Sequence, residues 1–128
     1  MLSADDLALA REGHLAVFVT LMADGAPQST PVWIDADDEH LLVNTAEGRV
    51  KTRNVRRDPR VAVSIVDRED DYRVLNVSGR VVEVRTEGAL EHIDKLARRY
   101  RGEDYPWHDA GETRVILVIE ADRWVDRG

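Results

Sequence analysis

The sequence of 128 residues contains no cysteine, which excludes disulfides, thiolate metal sites and a cysteine nucleophile. It also contains no G-x-S-x-G elbow, no Walker phosphate loop and no glycine-rich dinucleotide fingerprint, the local patterns of several common enzyme classes. Histidines are few and far apart, without the spacing of a zinc site: His14, His40, His92 and His108. We therefore expect no metal centre, and these absences fit an enzyme whose chemistry belongs to a cofactor.

Long apolar runs are absent as well. No stretch approaches the roughly 18 residues that a membrane helix needs, so we expect no membrane span. The N-terminus, "MLSADDLALAREG", has two early acids and no basic region followed by an apolar one, unlike a secretory signal. Hydrophobic residues make up 43% and charged residues 34%, which is typical of a globular protein. We expect one cytoplasmic domain spanning residues 1–128.

The residues that are present predict a mainly β fold. Six runs rich in β-branched and apolar residues predict strands: 14–21, 28–35, 40–46, 60–67, 73–84 and 113–124. Three short helices are expected, one capped by Ser3, one over about 48–57 and one capped by Thr86. The first three strands predict an antiparallel meander, and the apolar phase of the fifth changes at Gly79, which predicts a β-bulge. The sum is a small six-stranded antiparallel barrel with helices over its openings.

Positive charge is concentrated in residues 49–60, although the net charge of the chain is −7. This stretch holds six basic residues and one acid. It follows a predicted strand and opens the second predicted helix, where unpaired backbone N–H groups attract anions. The rest of the chain is strongly acidic and the pI is about 5.0, which argues against general nucleic-acid affinity. No nucleic-acid partner is expected, although a module that binds through this Arg-rich helix stays as an alternative.

The helical period divides this basic segment between two faces. Arg49, Arg53 and Arg56 share one face, whereas Lys51 and Asn54 project from another. Two interpretations follow. One is an anion site that uses the planar fork of arginine and the point charge of lysine; the other is a solvated helix face paired with acids elsewhere in the chain.

The second predicted strand contains two residues with a double interpretation. Pro31 lacks a backbone N–H and so belongs at a sheet edge or a bulge, where a ligand can take the place of a neighbouring strand. The alternative is an ordinary edge proline. Trp33 is either a core aromatic or a side chain that stacks on a ligand ring.

Three segments carry a family resemblance: "DGAPQSTPVWID", "LLVNTAEGRVKTRNVRRDPRVAVSIVD" and "VSGRVVEV". Together they resemble the flavin and deazaflavin oxidoreductases with a split β-barrel, related to pyridoxamine-phosphate oxidase. The likeness is greatest to the actinobacterial branch that uses coenzyme F420. It spans residues 7–84 and weakly the last strand, and "KTRNVRRDPRV" is its most specific part. The resemblance implies a homodimer with two cofactor sites at the subunit interface and hydride transfer from the reduced deazaflavin to a small unsaturated or electrophilic substrate.

The same resemblance implies which residues contact the cofactor. Arg49, Lys51 and Asn54 would meet the phosphate and nearby tail oxygens, and the anionic polyglutamate tail would account for further basic residues. The second strand would lie along the ring system, and the end of the third would flank the ribityl chain. The full set is Gln28, Ser29, Thr30, Pro31, Val32, Trp33, Asn44, Thr45, Ala46, Arg49, Lys51, Thr52 and Asn54.

Several points stay open at this stage. FMN in place of F420 and a carrier that binds the cofactor without turnover are alternatives. The chain is short for this branch, and the loop "RGEDYPWHDAGE" at residues 101–112 has no assigned role; Trp107 and His108 either close over a partner's pocket or belong to a surface loop packed inward. No catalytic acid or base is assigned, because the reduced ring supplies the hydride. Tyr72, Tyr105 and His108 are proton donors or structural residues on equal terms.

Overall fold

The structure is a computed structural model that describes residues 1–126. Three short helices are α1 (Ala4–Ala10), α2 (Val50–Arg57) and α3 (Ala89–Arg101). Seven strands form one antiparallel sheet: β1 (Leu15–Leu21), β2 (Pro27–Trp33), β3 (Asp35–Ala36), β4 (Leu41–Ala46), β5 (Arg60–Asp67), β6 (Asp70–Arg85) and β7 (Arg114–Val125). The mainly β prediction is confirmed.

The strand count of six was wrong, because the predicted second strand is two strands. β2 pairs with β1 as far as Trp33, and residues 35–36 then pair with β4 as the separate strand β3. Between them the Ile34 side chain is fully buried, and its backbone N–H donates to the Tyr100 hydroxyl at 2.9 Å instead of to a strand. This turn of the chain moves it from one end of the sheet to the other.

The sheet order is β2-β1-β5-β6-β7-β4-β3, so the expected meander of the first three strands was wrong as well. β4 pairs with β7 and β3 rather than with β2. The physical reason is burial on both faces: Leu41, Leu42 and Val43 are all buried, as expected for a strand inside a sheet and not at its edge. The antiparallel sheet curls into a half-barrel, consistent with a split barrel, and β2 is left at an open edge.

The bulge predicted at Gly79 is confirmed. β6 pairs with β5 and β7, and its register with β7 shifts between Ser78 and Gly79 and again between Val81 and Glu83. A Cβ added at Gly79 would collide with the backbone carbonyl of Glu120 on β7. The bend of β6 therefore depends on a residue without a side chain.

The helices pack on the sheet. In α1 the Ser3 hydroxyl accepts the Asp6 N–H and the Asp6 carboxylate accepts the Ser3 N–H, both at 3.1 Å, which confirms the predicted cap. The cap predicted at Thr86 was wrong, because α3 begins at Ala89 after Gly88, which has a φ of 77°. Before the helix starts, the chain makes a turn in which Ala89 N–H donates to the Thr86 carbonyl. Among the described helices, none has the length and apolar character to cross a membrane.

Replacing Gly79 with alanine tests the bulge. Because the new methyl group would meet backbone of β7 rather than a flexible side chain, we expect Gly79→Ala to lower the free energy of unfolding by about 2–3 kcal/mol. Urea denaturation followed by circular dichroism measures this change. Gly111→Ala is the matched control, since its Cβ would have Asp109 Oδ1 as nearest neighbour at 3.8 Å; a shift within about 0.5 kcal/mol is expected there. Equal effects of the two substitutions would contradict this account of β6.

Candidate functional site

A groove of about 270 Å³ lies where β2 and β4 approach without pairing. Pro31 lies on β2, an edge strand of the sheet, which confirms the predicted edge position that its two interpretations share. The C-terminal half of β2 forms one wall and the end of β4 the other, with α3 and the following loop beside them. The lining residues are Leu15, Pro31, Val32, Trp33, Asn44, Thr45, Arg49, Lys51, Ile93, Leu96, Tyr105, Trp107 and Arg114.

The start of α2 lies at this groove. The helix begins at Val50, two residues later than predicted, and Arg49 is its N-cap without a side-chain capping bond. The first backbone bond of this turn runs from Arg53 N–H to Arg49 O, so the N–H groups of residues 50–52 have no partner within the helix. The Thr52 hydroxyl donates to the Ala46 carbonyl at 2.7 Å, and both residues are buried. This bond fixes α2 against the end of β4.

Three cations meet at the groove. Lys51 is half-buried, and burial, followed by the positive charges of Arg49 and Arg114, lowers the pKa of Lys51 below its ordinary value. One carboxylate faces the arginines: Glu112 accepts from Arg49 at 3.4 Å and from Arg114 at 3.1 Å. Three positive charges against one negative charge leave a corner that is short of anions.

A chain of hydrogen bonds connects Arg114 to the buried carboxylate of Asp35. Its Nε donates to Asn44 Oδ1 at 2.9 Å, and Asn44 Nδ2 lies 3.1 Å from His92 Nδ1. His92 Nε2 lies 2.9 Å from Asp35 Oδ2. Burial raises the pKa of Asp35, but hydrogen bonds from His92, Arg99 and a backbone N–H outweigh it, so that the pKa is held well below its usual range.

Aromatic side chains form the wall nearest α3. Trp33 stacks on Tyr100 with ring centres 5.2 Å apart and an angle of 12°, and the Tyr105 ring meets Trp33 edge-on at 6.3 Å. Trp107 is more than half exposed beside them. Arg114 lies 5.2 Å from the centre of the Tyr105 ring. Trp33 thus packs on Tyr100 and also lines the groove.

The structure brings together seven of the residues that the resemblance implied and places the other six outside the groove. Asn54 is 1% exposed and donates to the Thr20 hydroxyl at 3.0 Å, which in turn donates to Gln28 at 3.3 Å. Thr30 has a buried hydroxyl with no hydrogen-bond partner within residues 1–126. The groove set comprises Pro31, Val32, Trp33, Asn44, Thr45, Arg49 and Lys51; the remainder are Gln28, Ser29, Thr30, Ala46, Thr52 and Asn54.

Four lining residues were absent from the site predicted from the sequence: Leu15, Ile93, Leu96 and Arg114. Tyr105 and Trp107 each had two interpretations. One signal for Arg114 was present, a cation at the start of the otherwise apolar run "VILVI", where a buried charge requires partners. The aromatic residues gave no comparable signal, because their loop has no regular pattern.

Comparison with known proteins gives a consistent family. The family model described as pyridoxamine 5'-phosphate oxidase matches residues 6–127. A solved structure described as an F420 reductase has a TM-score of 0.84 and 28% identity, over 94% of this chain and 95% of its own. Rv2991, a conserved hypothetical protein from Mycobacterium tuberculosis, has a TM-score of 0.72 and 26% identity, over 97% and 82%.

A more distant likeness extends to HupZ from Group A Streptococcus, with a TM-score of 0.68 and 24% identity over 97% of this chain and 92% of that one. At that identity the likeness concerns the fold alone. The family match, in contrast, covers nearly the whole chain, and the curled antiparallel sheet agrees with it. The protein belongs to the pyridoxamine 5'-phosphate oxidase family of split β-barrels.

Proposed function

We propose that the groove binds coenzyme F420 and that the protein is an F420-dependent reductase acting on small unsaturated or electrophilic molecules. The observation that carries this proposal is the meeting of Arg49, Lys51 and Arg114 at the start of α2, beside the open edge of β2. The similarity to a protein described as an F420 reductase supports it. When bound, the reduced deazaflavin supplies the hydride, and the protein binds and orients it.

The donor set at this corner fits a phosphate. The free N–H groups of residues 50–52 carry the partial positive charge of the helix start, and Lys51 adds a full charge next to them. Burial, followed by the charges of Arg49 and Arg114, lowers the pKa of Lys51, and a bound anion would favour the charged form of this lysine. The longer arginine side chains beside it suit further carboxylates, such as those of a polyglutamate tail.

The β2 wall fits a planar ring. As an edge strand, β2 leaves alternate backbone N–H and C=O groups without a strand partner, and these can meet the polar edge of a ring. Pro31, Val32 and Trp33 provide the apolar part of that wall. In this proposal Asn54, Thr52 and Ala46 support α2 rather than contact the cofactor.

We further propose that the working unit is a homodimer. The outer face of the sheet carries a wide groove of about 850 Å³ and exposes large apolar side chains: Leu15, Val17, Val66 and Val125. Leu15 also lines the cofactor groove, so the apolar face and the proposed site are continuous. A second copy on this face would cover the apolar surface and add walls to the open groove.

A titration with oxidised F420 and with FMN, read by fluorescence, tests the cofactor assignment. We expect saturable binding of F420 that is tighter than that of FMN, followed by oxidation of the reduced deazaflavin when an electrophilic acceptor is added. Protein that purifies yellow and prefers FMN would favour an FMN oxidoreductase. Tight F420 binding without turnover across a broad acceptor panel would favour a carrier, and no saturable binding of either cofactor would end the proposal.

Lys51→Ala tests the anion corner. Because a half-buried charged donor would be lost, F420 affinity should fall by about 1.5–3 kcal/mol, measured by calorimetry. Arg49→Ala should cost less, about 1 kcal/mol, since Arg49 is half exposed and shared with Glu112. Arg56→Ala is the matched control on the same helix, where the arginine pairs with Glu47 at 2.7 Å away from the groove. Equal affinity of wild type and the Lys51 variant would contradict phosphate anchoring here.

Val17→Glu tests the dimer. A charge on the outer face should convert a dimer of wild-type protein to monomer, as measured by size exclusion with light scattering, and should weaken F420 binding at the same time. Val82→Glu is the control, because Val82 has similar exposure, 47% against 43% for Val17, and does not line the outer groove. A monomeric wild type, or dimers in both variants, would refute the proposed interface.

A further inference from the structure

The chain of bonds beneath Arg114 has a fixed end at Asp35. This carboxylate is 1% exposed and is surrounded by donors: Arg99 Nη1 lies 2.9 Å from Oδ1, and Lys95 Nζ lies 3.5 Å from Oδ2. A carboxylate in such surroundings acts as an acceptor only. His92 Nε2, 2.9 Å from Oδ2, must therefore carry the proton in this bond.

The protonated Nε2 fixes the next link. A neutral imidazole with hydrogen on Nε2 presents Nδ1 as an acceptor, and Asn44 Nδ2 lies 3.1 Å from it. The same Nδ2 donates to the Ala89 carbonyl at 2.9 Å. A reversed amide would place oxygen against that carbonyl and would lose both bonds. The orientation of Asn44 is thus set by His92 and Ala89 together.

This orientation points Asn44 Oδ1 at Arg114. The oxygen accepts from Nε at 2.9 Å, and Glu112 accepts from Nη1 at 3.1 Å. Arg114 is 6% exposed, and these two hydrogen bonds hold its guanidinium beside Lys51 at the groove. If Asn44 turned over, its NH₂ group would face the Nε–H and the arginine would lose its anchor.

We infer that His92 is a positioning residue for anion binding: it fixes the Asn44 amide, which fixes the Arg114 guanidinium at the groove. The inference rests on the proposed function, since it deepens the same site. Asp35 sets the histidine tautomer, and Lys95 and Arg99, both on α3 like His92, hold Asp35 in turn. A side chain outside the groove thereby controls a cation inside it.

A pair of substitutions separates this role from a general structural one. His92→Phe keeps a ring but offers Asn44 no acceptor, whereas His92→Gln can accept from Asn44 and donate to Asp35. Two probes are titrated by calorimetry, F420 and its phosphate-free deazaflavin fragment. We expect His92→Phe to weaken F420 binding about tenfold and to leave the fragment unchanged, and His92→Gln to restore most of the loss.

Two outcomes of the titrations would overturn the inference. One is an unchanged F420 affinity in His92→Phe. The other is an equal loss for both probes in both variants, which is the pattern of a structural residue. Thermal unfolding of each variant shows whether it remains folded. If His92→Phe does not fold, nitrogen-15 NMR of the wild type and of His92→Gln tests the inference instead.

Nitrogen-15 NMR of the free protein tests the chain without any ligand. We expect His92 to be the Nε2–H tautomer, and the Arg114 Nε–H signal, identified by its loss in Arg114→Lys, to be sharp in wild type and His92→Gln. An Nδ1–H tautomer would overturn the positioning chain even in a protein that binds F420. Conversely, the expected tautomer in a protein that binds no deazaflavin would contradict the proposed function, and the binding role of His92 with it.

Discussion

The repulsion among the cations at the junction of β4 and α2 is the constraint around which the site is organised. Lys51, Arg49 and Arg114 are brought together with one carboxylate, Glu112, between them. Burial lowers the pKa of Lys51, and the like charges of Arg49 and Arg114 lower it further. A protein with net charge −7 has many acids with which to neutralise such a corner. Within residues 1–126, Glu112 is the one carboxylate that bonds to Arg49 and Arg114, which supports the proposal that an external anion binds here.

The fold holds this arrangement in place with buried polar bonds on both sides of it. On one side Thr52 forms a hydrogen bond to the end of β4, and Asn54 forms one to Thr20 of β1. These bonds fix the position of α2 relative to the sheet. On the other side Asp35 ties β3 to α3 through His92 and Arg99. Buried networks of this kind stabilise a structure when every member is satisfied. The groove between them is consequently a gap between rigid elements, suited to a preorganised binding site.

Most local signals in the sequence predicted local structure correctly, and the cap expected at Thr86 is the exception. The phase change at Gly79 located the bulge, the Ser3 cap located α1, and Pro31 marked the edge strand. The pairing of distant strands was not predicted, because no residue pattern near residues 41–46 indicates that β4 pairs with β7, about 70 residues later. Only part of the site could be predicted for the same reason. Lys51 and Arg49 lie in one basic segment, whereas Arg114 comes from the last strand, far away in the sequence. The four histidines lack the spacing of a metal site, and the partner of His92, Asp35, lies 57 residues away in the sequence, so no local pattern marks His92.

A crystal structure of the protein with F420 tests the central claim most directly. The account predicts the cofactor phosphate at the start of α2, about 3 Å from Lys51 Nζ and from backbone N–H groups of that turn, with the ring along β2. A phosphate bound anywhere else, for example in the groove on the outer face of the sheet, would contradict it. So would a cofactor whose ring occupies the β2 edge while this corner holds only water.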